Sequence, residues 1–166
     1  MSPSQLSIRA ADPAEVALVL EFIRELAQYE RLSHEVVASE TDLAQTLFGP
    51  GAFAHVLFGC LDGVPVGFAV YFFNYSTFRG RPGLYLEDLF VRPAARGRGV
   101  GRALLAHLAR IATERGCARF DWAVLDWNAP AIAFYRTLGA VAVDEWTIFR
   151  LAGAPLAELA RAGEAL

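Results

Sequence analysis

The chain of 166 residues is 55% apolar and 20% charged, a length and balance that suit one globular domain spanning 1–166 rather than a disordered chain. Its formal charge of −3 gives no argument for a nucleic-acid partner, and no run approaches the ~20 apolar residues of a membrane span. Met1-Ser2-Pro3-Ser4-Gln5 lacks the basic start of a secretory signal, and Cys60 and Cys117 cannot build a disulfide framework, so a reducing cytoplasm is the expected compartment.

In chain order, Asp12-Pro13-Ala14-Glu15 reads as a helix start: a capping Asp, a first-turn proline and a glutamate three residues after the cap. Val16, Leu20, Ile23 and Ala27 then recur at helical spacing and predict a helix to about Tyr29. A second helix follows a cap at Ser39, with Leu43 and Leu47 inward, and Phe48-Gly49-Pro50-Gly51 ends it. Between Asp12 and Asp42 eight acids stand against Arg24 and Arg31, which is either a solvated face or a cation-attracting one. Ala54–Leu61 and Val66–Phe73 read as strands joined by an Asp62-Gly63 hairpin turn. Asn74–Gly83 reads as a loop, Leu84–Val91 as a third strand closed by Arg92-Pro93, and Arg102–Arg115 as a helix stopped by Gly116. Phe120–Leu125 is a strand, Asn128-Ala129-Pro130 opens a short helix to Leu138, and Val141–Val143 with Trp146–Leu151 reads as a closing hairpin. A short helix after Pro155 completes an ααβββαβαβ(β) order, a mixed α/β sheet with helices on both faces.

The most informative stretch is Arg96-Gly97-Arg98-Gly99-Val100-Gly101-Arg102, set between an apolar strand and a helix. Three alternating glycines let successive backbone N–H groups converge, the helix adds its positive end, and the arginines add forked donors suited to phosphate. The third glycine falls one residue early for a dinucleotide fingerprint. All 15 basic residues are arginine, so neither a Walker loop nor a Schiff-base lysine is available. A flexible strand–helix connection is the plain alternative.

Arg96-x-x-Gly99-x-Gly101 after an apolar strand resembles the acetyl-CoA loop of the GNAT superfamily, whose fold is a largely antiparallel mixed sheet, and the resemblance covers nearly the whole chain. Glu25-Leu26-Ala27-x-Tyr29-Glu30, Tyr85-Leu86-Glu87-Asp88 and Trp127-Asn128…Phe134-Tyr135 are similar to the spermidine/spermine (diamine) acetyltransferase branch. Tyr75-Ser76-Thr77 and Ala123–Asn128 resemble its thialysine acetyltransferase members. The resemblance implies an enzyme in which Leu89, Phe90 and Val91 splay from the neighbouring strand at a bulge and pair with the pantetheine arm. It also implies that Arg96, Gly97, Arg98, Gly99, Val100, Gly101 and Arg102 cradle the pyrophosphate, that Asn128 and Tyr135 flank the thioester sulfur, and that the chain is a homodimer. On the amine side it implies Tyr29, Glu30, Ser76, Glu87, Asp88 and Trp127. The polyamine enzymes carry an acid and a tryptophan where this chain has Ser76 and Phe78, a departure that favours a shorter amine such as thialysine or lysine over a long polyamine.

Acetyl transfer to an amine needs a neutral nucleophile, and a lysine-like amine with a pKa of ~10.4 is almost wholly protonated at pH 7. Glu87 is the candidate proton acceptor, because two adjacent acids inside an apolar strand are anomalous; the alternative for either is an arginine partner that locks the sheet. In a regular strand Glu87 and Asp88 point to opposite faces and so take different jobs; the resemblance implies that Glu87 relays the proton and that Asp88 helps to hold the cation. Tyr135 is the candidate general acid, against plain core packing. The oxyanion falls to a backbone N–H near Leu89–Phe90. His34, His55 and His107 lack ligand spacing, so no metal is expected, and Cys60 and Cys117 read as packing residues. Two other readings stay open: an acyl-CoA-binding sensor without turnover, and a protein or peptide N-acetyltransferase.

Overall fold

The computed structural model describes residues 4–163. They divide into two compact units, one ending at Ala123 and one beginning at Val124.

The first unit is a five-stranded sheet in the order β1-β2-β3-β4-β5: Leu6–Ala10, His55–Leu61, Val64–Ser76, Arg81–Val91 and Phe120–Trp122. All pairings are antiparallel except β4 with β5. Asp12 and Ser39 both form capping boxes, leading into α1 (Val16–Glu30) and α2 (Glu40–Phe48). Between β2 and β3, Asp62 and Gly63 both take positive φ, 51° and 81°, the backbone that a two-residue hairpin of this hand requires.

Helices cover both faces. Val19, Leu20, Phe22 and Leu26 of α1 and Leu43 of α2 bury against Val56, Phe58, Cys60, Phe68, Val70 and Phe90. On the opposite face α3 (Val100–Glu114) lies so close that a Cβ on Gly59 would come within 2.6 Å of Val100 and 3.3 Å of Leu104. Burying these aliphatic and aromatic side chains, at about 1.5–3 kcal/mol each, supplies the drive that holds the sheet between its helices.

Four expectations are corrected. β1 is a strand that the sequence reading did not contain; it pairs with β2 from Leu6↔Leu61 to Ala10↔Leu57. The expected Asn74–Gly83 loop is mostly ladder: Asn74↔Gly83, Tyr75↔Pro82 and Ser76↔Arg81 pair, leaving Thr77–Gly80 as the turn, because cross-strand bonding outweighs the local turn composition. α3 begins at Val100, which places Gly101 and Arg102 in its first turn. In the second unit, α4 (Ala129–Thr137) and α5 (Gly153–Gly163) form, but among the described residues no strand follows β5. The expected hairpin over 141–151 is absent; a lone hairpin is marginal in water, and Ile148 and Phe149 are 80% and 92% exposed. Among the described residues no helix is long and apolar enough to cross a membrane.

Candidate active site

The site centres on one irregularity in β4. Val70 pairs with Asp88 but Tyr71 pairs with Leu86, so Glu87 is the extra residue of a bulge. The bulge was expected near Leu89–Phe90; those two residues instead sit in regular register with Ala69 and Phe68. The shift has a packing cause. Leu86 shares Tyr71's face, towards α3, whereas Asp88 and Phe90 share the face of Val70 and Phe68, towards α1. An unbroken strand would put Leu86 and Phe90 on one face, and the inserted residue lets each bury on its own side.

The same point ends the pairing with β5. The parallel ladder runs Leu84↔Phe120, Tyr85↔Asp121, Leu86↔Trp122 and stops, so residues 87–91 of β4 present an edge that β5 does not cover. An uncovered edge offers N–H and C=O groups to an extended amide-bearing ligand.

Glu87 is exposed and Asp88 half-buried. Neither forms an ion pair among the described residues, which removes the arginine-locked alternative. Burial, with the added charge of Glu87 and then Glu30, pushes the Asp88 carboxyl up to about 6. Glu30, the last residue of α1, is itself raised by burial. Three carboxylates thus meet near the C-terminal, negative end of a helix dipole, an arrangement that favours a bound cation.

Tyr29, one residue before Glu30, has its ring 6.3 Å from that of Phe90, and the Arg96 guanidinium stacks 4.6 Å from the Tyr29 centroid and 5.6 Å from that of Phe90. Arg96 Nε–H also donates to the Val91 carbonyl at 2.9 Å. The first arginine of the loop therefore ties the loop to the strand end and to α1, a role the sequence did not suggest.

In the loop, Gly97 and Gly99 have φ of 73° and 82°, a left-handed backbone that favours glycine. Gly99 is the N-cap of α3, and no side chain caps that helix end. Its first N–H groups and the exposed Arg98 and Arg102 are suited to a phosphate. Arg98 also bonds Ser4 Oγ at 2.6 Å. Val100 is buried beneath the loop and Gly101 lies 3.7 Å, measured from an ideal Cβ, from Val91. Arg92, which with Arg96, Arg98 and Arg102 makes four arginines in eleven residues, is engaged elsewhere: it bonds Glu25 at 2.7 Å and Glu21, and its guanidinium lies 4.4 Å from the Phe22 ring centroid.

Ser76 does not join this group. It is buried opposite Arg81, six residues along β4 from Glu87, or about 20 Å. Trp127, Asn128 and Tyr135 belong to the second unit. Trp127 is half-exposed; Asn128 is buried and its Oδ1 accepts from the Ala131 N–H at 3.3 Å, capping α4; the Tyr135 ring is 5.5 Å from that of Phe134.

Residues 19–140 match the acetyltransferase (GNAT) family. The chain belongs to this family. Like other GNAT acetyltransferases it is an enzyme. It is 41% identical over 164 residues to the thialysine N-epsilon-acetyltransferase of Sus scrofa, covering 92% of this chain and 96% of that one. It is 32% identical to the L-ornithine N5-acetyltransferase of Arabidopsis thaliana, over 88% of this chain and 84% of that one. Among solved structures, an integron cassette protein from the mobile metagenome of V. cholerae superposes with a TM-score of 0.78 at 31% identity, over 94% of this chain and 98% of that one. GNAT acetyltransferases use acetyl-CoA, and the glycine-shaped loop, the uncapped α3 terminus and the open β4 edge fit such a donor.

Proposed function

We propose that this GNAT acetyltransferase moves the acetyl group of acetyl-CoA directly onto the side-chain amine of a small cationic amino acid of the thialysine, lysine or ornithine kind. The observation that carries the reading is the coincidence, at one point of β4, of the Glu87 bulge, the end of the β5 ladder and the carboxylates of Asp88 and Glu30 without arginine partners. Residues 96–102 hold the pyrophosphate, and the edge from Glu87 to Val91 pairs with the pantetheine arm and turns a backbone N–H to the thioester oxygen.

Asp88 and Glu30, with Tyr29 beside them, draw the ammonium group to the bulge. Glu87, exposed there, takes its proton, directly or through water, and frees the lone pair. The resemblance to the acetyltransferase branch assigns Trp127 to the amine and Asn128 and Tyr135 to the sulfur. A phenol near pKa ~10 is a weaker acid than a thiol near ~8.5, so Tyr135 stabilises the departing sulfur by a hydrogen bond more readily than by full proton transfer. We place the enzyme in the cytoplasm as a single-domain homodimer, on its two free cysteines and on the resemblance.

Purified protein mixed with acetyl-CoA and thialysine, lysine, ornithine, putrescine, spermidine or a lysine peptide, read by thiol release, tests the assignment. Turnover on an amino-acid amine above the polyamines and the peptide supports it. Turnover on the peptide alone, or none on any amine, contradicts it.

A further inference from the structure

The two ends of β4 stand about 30 Å apart, and the end remote from the glycine loop carries a second concentration of arginine. A depression of about 520 Å³ there is lined by Arg79, Arg81 and Ala118. Its walls come from the β3–β4 turn and from the segment between α3 and β5, which are tied by Ala118 N–H to the Pro82 carbonyl (2.8 Å) and Leu84 N–H to the Arg119 carbonyl (3.0 Å). Arg115 and Arg119 flank Ala118. The Arg115 guanidinium lies 5.6 Å from the Phe73 centroid, and Arg119 pairs with Asp121 at 2.9 Å. Arg79 and Arg81, both exposed, make no ion pair with any described acid. In a chain of net charge −3, this excess of positive charge is local.

An independent feature adjoins it. Asn74 Oδ1 is buried and, among the described residues, has no hydrogen-bond partner. It lies against Gly83, where an added Cβ would fall 2.2 Å from it and 3.2 Å from the Arg119 Cγ. A buried carbonyl oxygen left unpaired is costly, so polar groups at this corner are incompletely satisfied. The acetyl transfer proposed above uses none of these side chains.

We propose that this corner is a binding site for a phosphate-bearing small molecule, held by the Arg79 and Arg81 forks with Arg119 beside them. Guanidinium forks match phosphate oxygens in pairs. The site is distinct from the Gly97–Gly101 loop, so the two accept ligand together.

The test is a titration of inorganic pyrophosphate, followed by calorimetry, into protein saturated with CoA to occupy the loop. Saturable binding of one further equivalent, weakened about tenfold or more in Arg79→Ala/Arg81→Ala and partly restored in Arg79→Lys/Arg81→Lys, is the expected result. Unchanged CoA affinity in each variant shows that it is folded. No further equivalent, or binding that survives the double alanine substitution, overturns the site. Should CoA itself fail to bind, the loop assignment falls, while the wild-type and Arg79→Ala/Arg81→Ala comparison still reads the corner.

Discussion

Replacing Asp88 by asparagine should stabilise the fold while weakening the enzyme. The Asp88 carboxyl stands at about 6, some two units above the usual ~3.9. At about 1.36 kcal/mol per unit, its charged form costs the folded state up to ~3 kcal/mol. Asp88 is half-buried rather than sealed, and asparagine still desolvates an amide, so the gain at pH 8 is about 1–2 kcal/mol. The sign follows from proton counting. Below pH ~4 the group is protonated whether the chain is folded or unfolded, and the cost vanishes. Between pH ~4 and ~6 the folded chain keeps a proton the unfolded chain has lost, so wild type falls progressively behind Asp88→Asn; above pH ~6 the gap is constant. Urea unfolding of both proteins at pH 4, 5, 6 and 8 measures it, with the KM for the amine rising at pH 8 in the variant. A variant no more stable than wild type at pH 8, or equally advantaged at pH 4, would refute the reasoning.

Arg92→Ala should lower stability by about 2 kcal/mol in urea, because it leaves Glu25 unpaired and strips the cover from Phe22, yet leave the KM for acetyl-CoA unchanged. Arg102→Ala should do the opposite: stability within ~0.5 kcal/mol and a KM for acetyl-CoA raised about tenfold in steady-state kinetics. Gly99→Ala forces a Cβ onto a backbone with φ of 82°, at a cost of about 1–2 kcal/mol, and should raise the KM for acetyl-CoA without altering that for the amine.

Features that depend on neighbours in sequence were legible. The capping box at Asp12, the cap at Ser39, the Asp62-Gly63 turn and the helix stops at Gly116 and Gly139 are each set by a few adjacent residues, and each forms as expected. Features that depend on distant partners were not. β1 is five residues whose strand character comes from pairing with β2, some fifty positions on. The extension of β3 and β4 to Ser76 and Arg81 is likewise a property of their ladder. The bulge falls at Glu87 because Leu86 and Phe90 bury on opposite faces, a demand invisible until α1 and α3 are in place. Of the four crowded arginines, only packing reveals that Arg92 belongs to Glu21 and Glu25 and that Arg96 is stacked on Tyr29. The candidate loop itself was legible, since glycine spacing and arginine content are local.

The most direct measurement is the pH–rate profile of kcat/KM for wild type and Glu87→Gln on the best amine substrate. A Glu87 that accepts the amine proton predicts a loss of about 10²–10³ near pH 7 that narrows as pH approaches the amine's own pKa of ~10.4, where no base is needed. An equal rate in the variant at pH 7, or a loss that stays constant to pH 10, would contradict that role for the bulge.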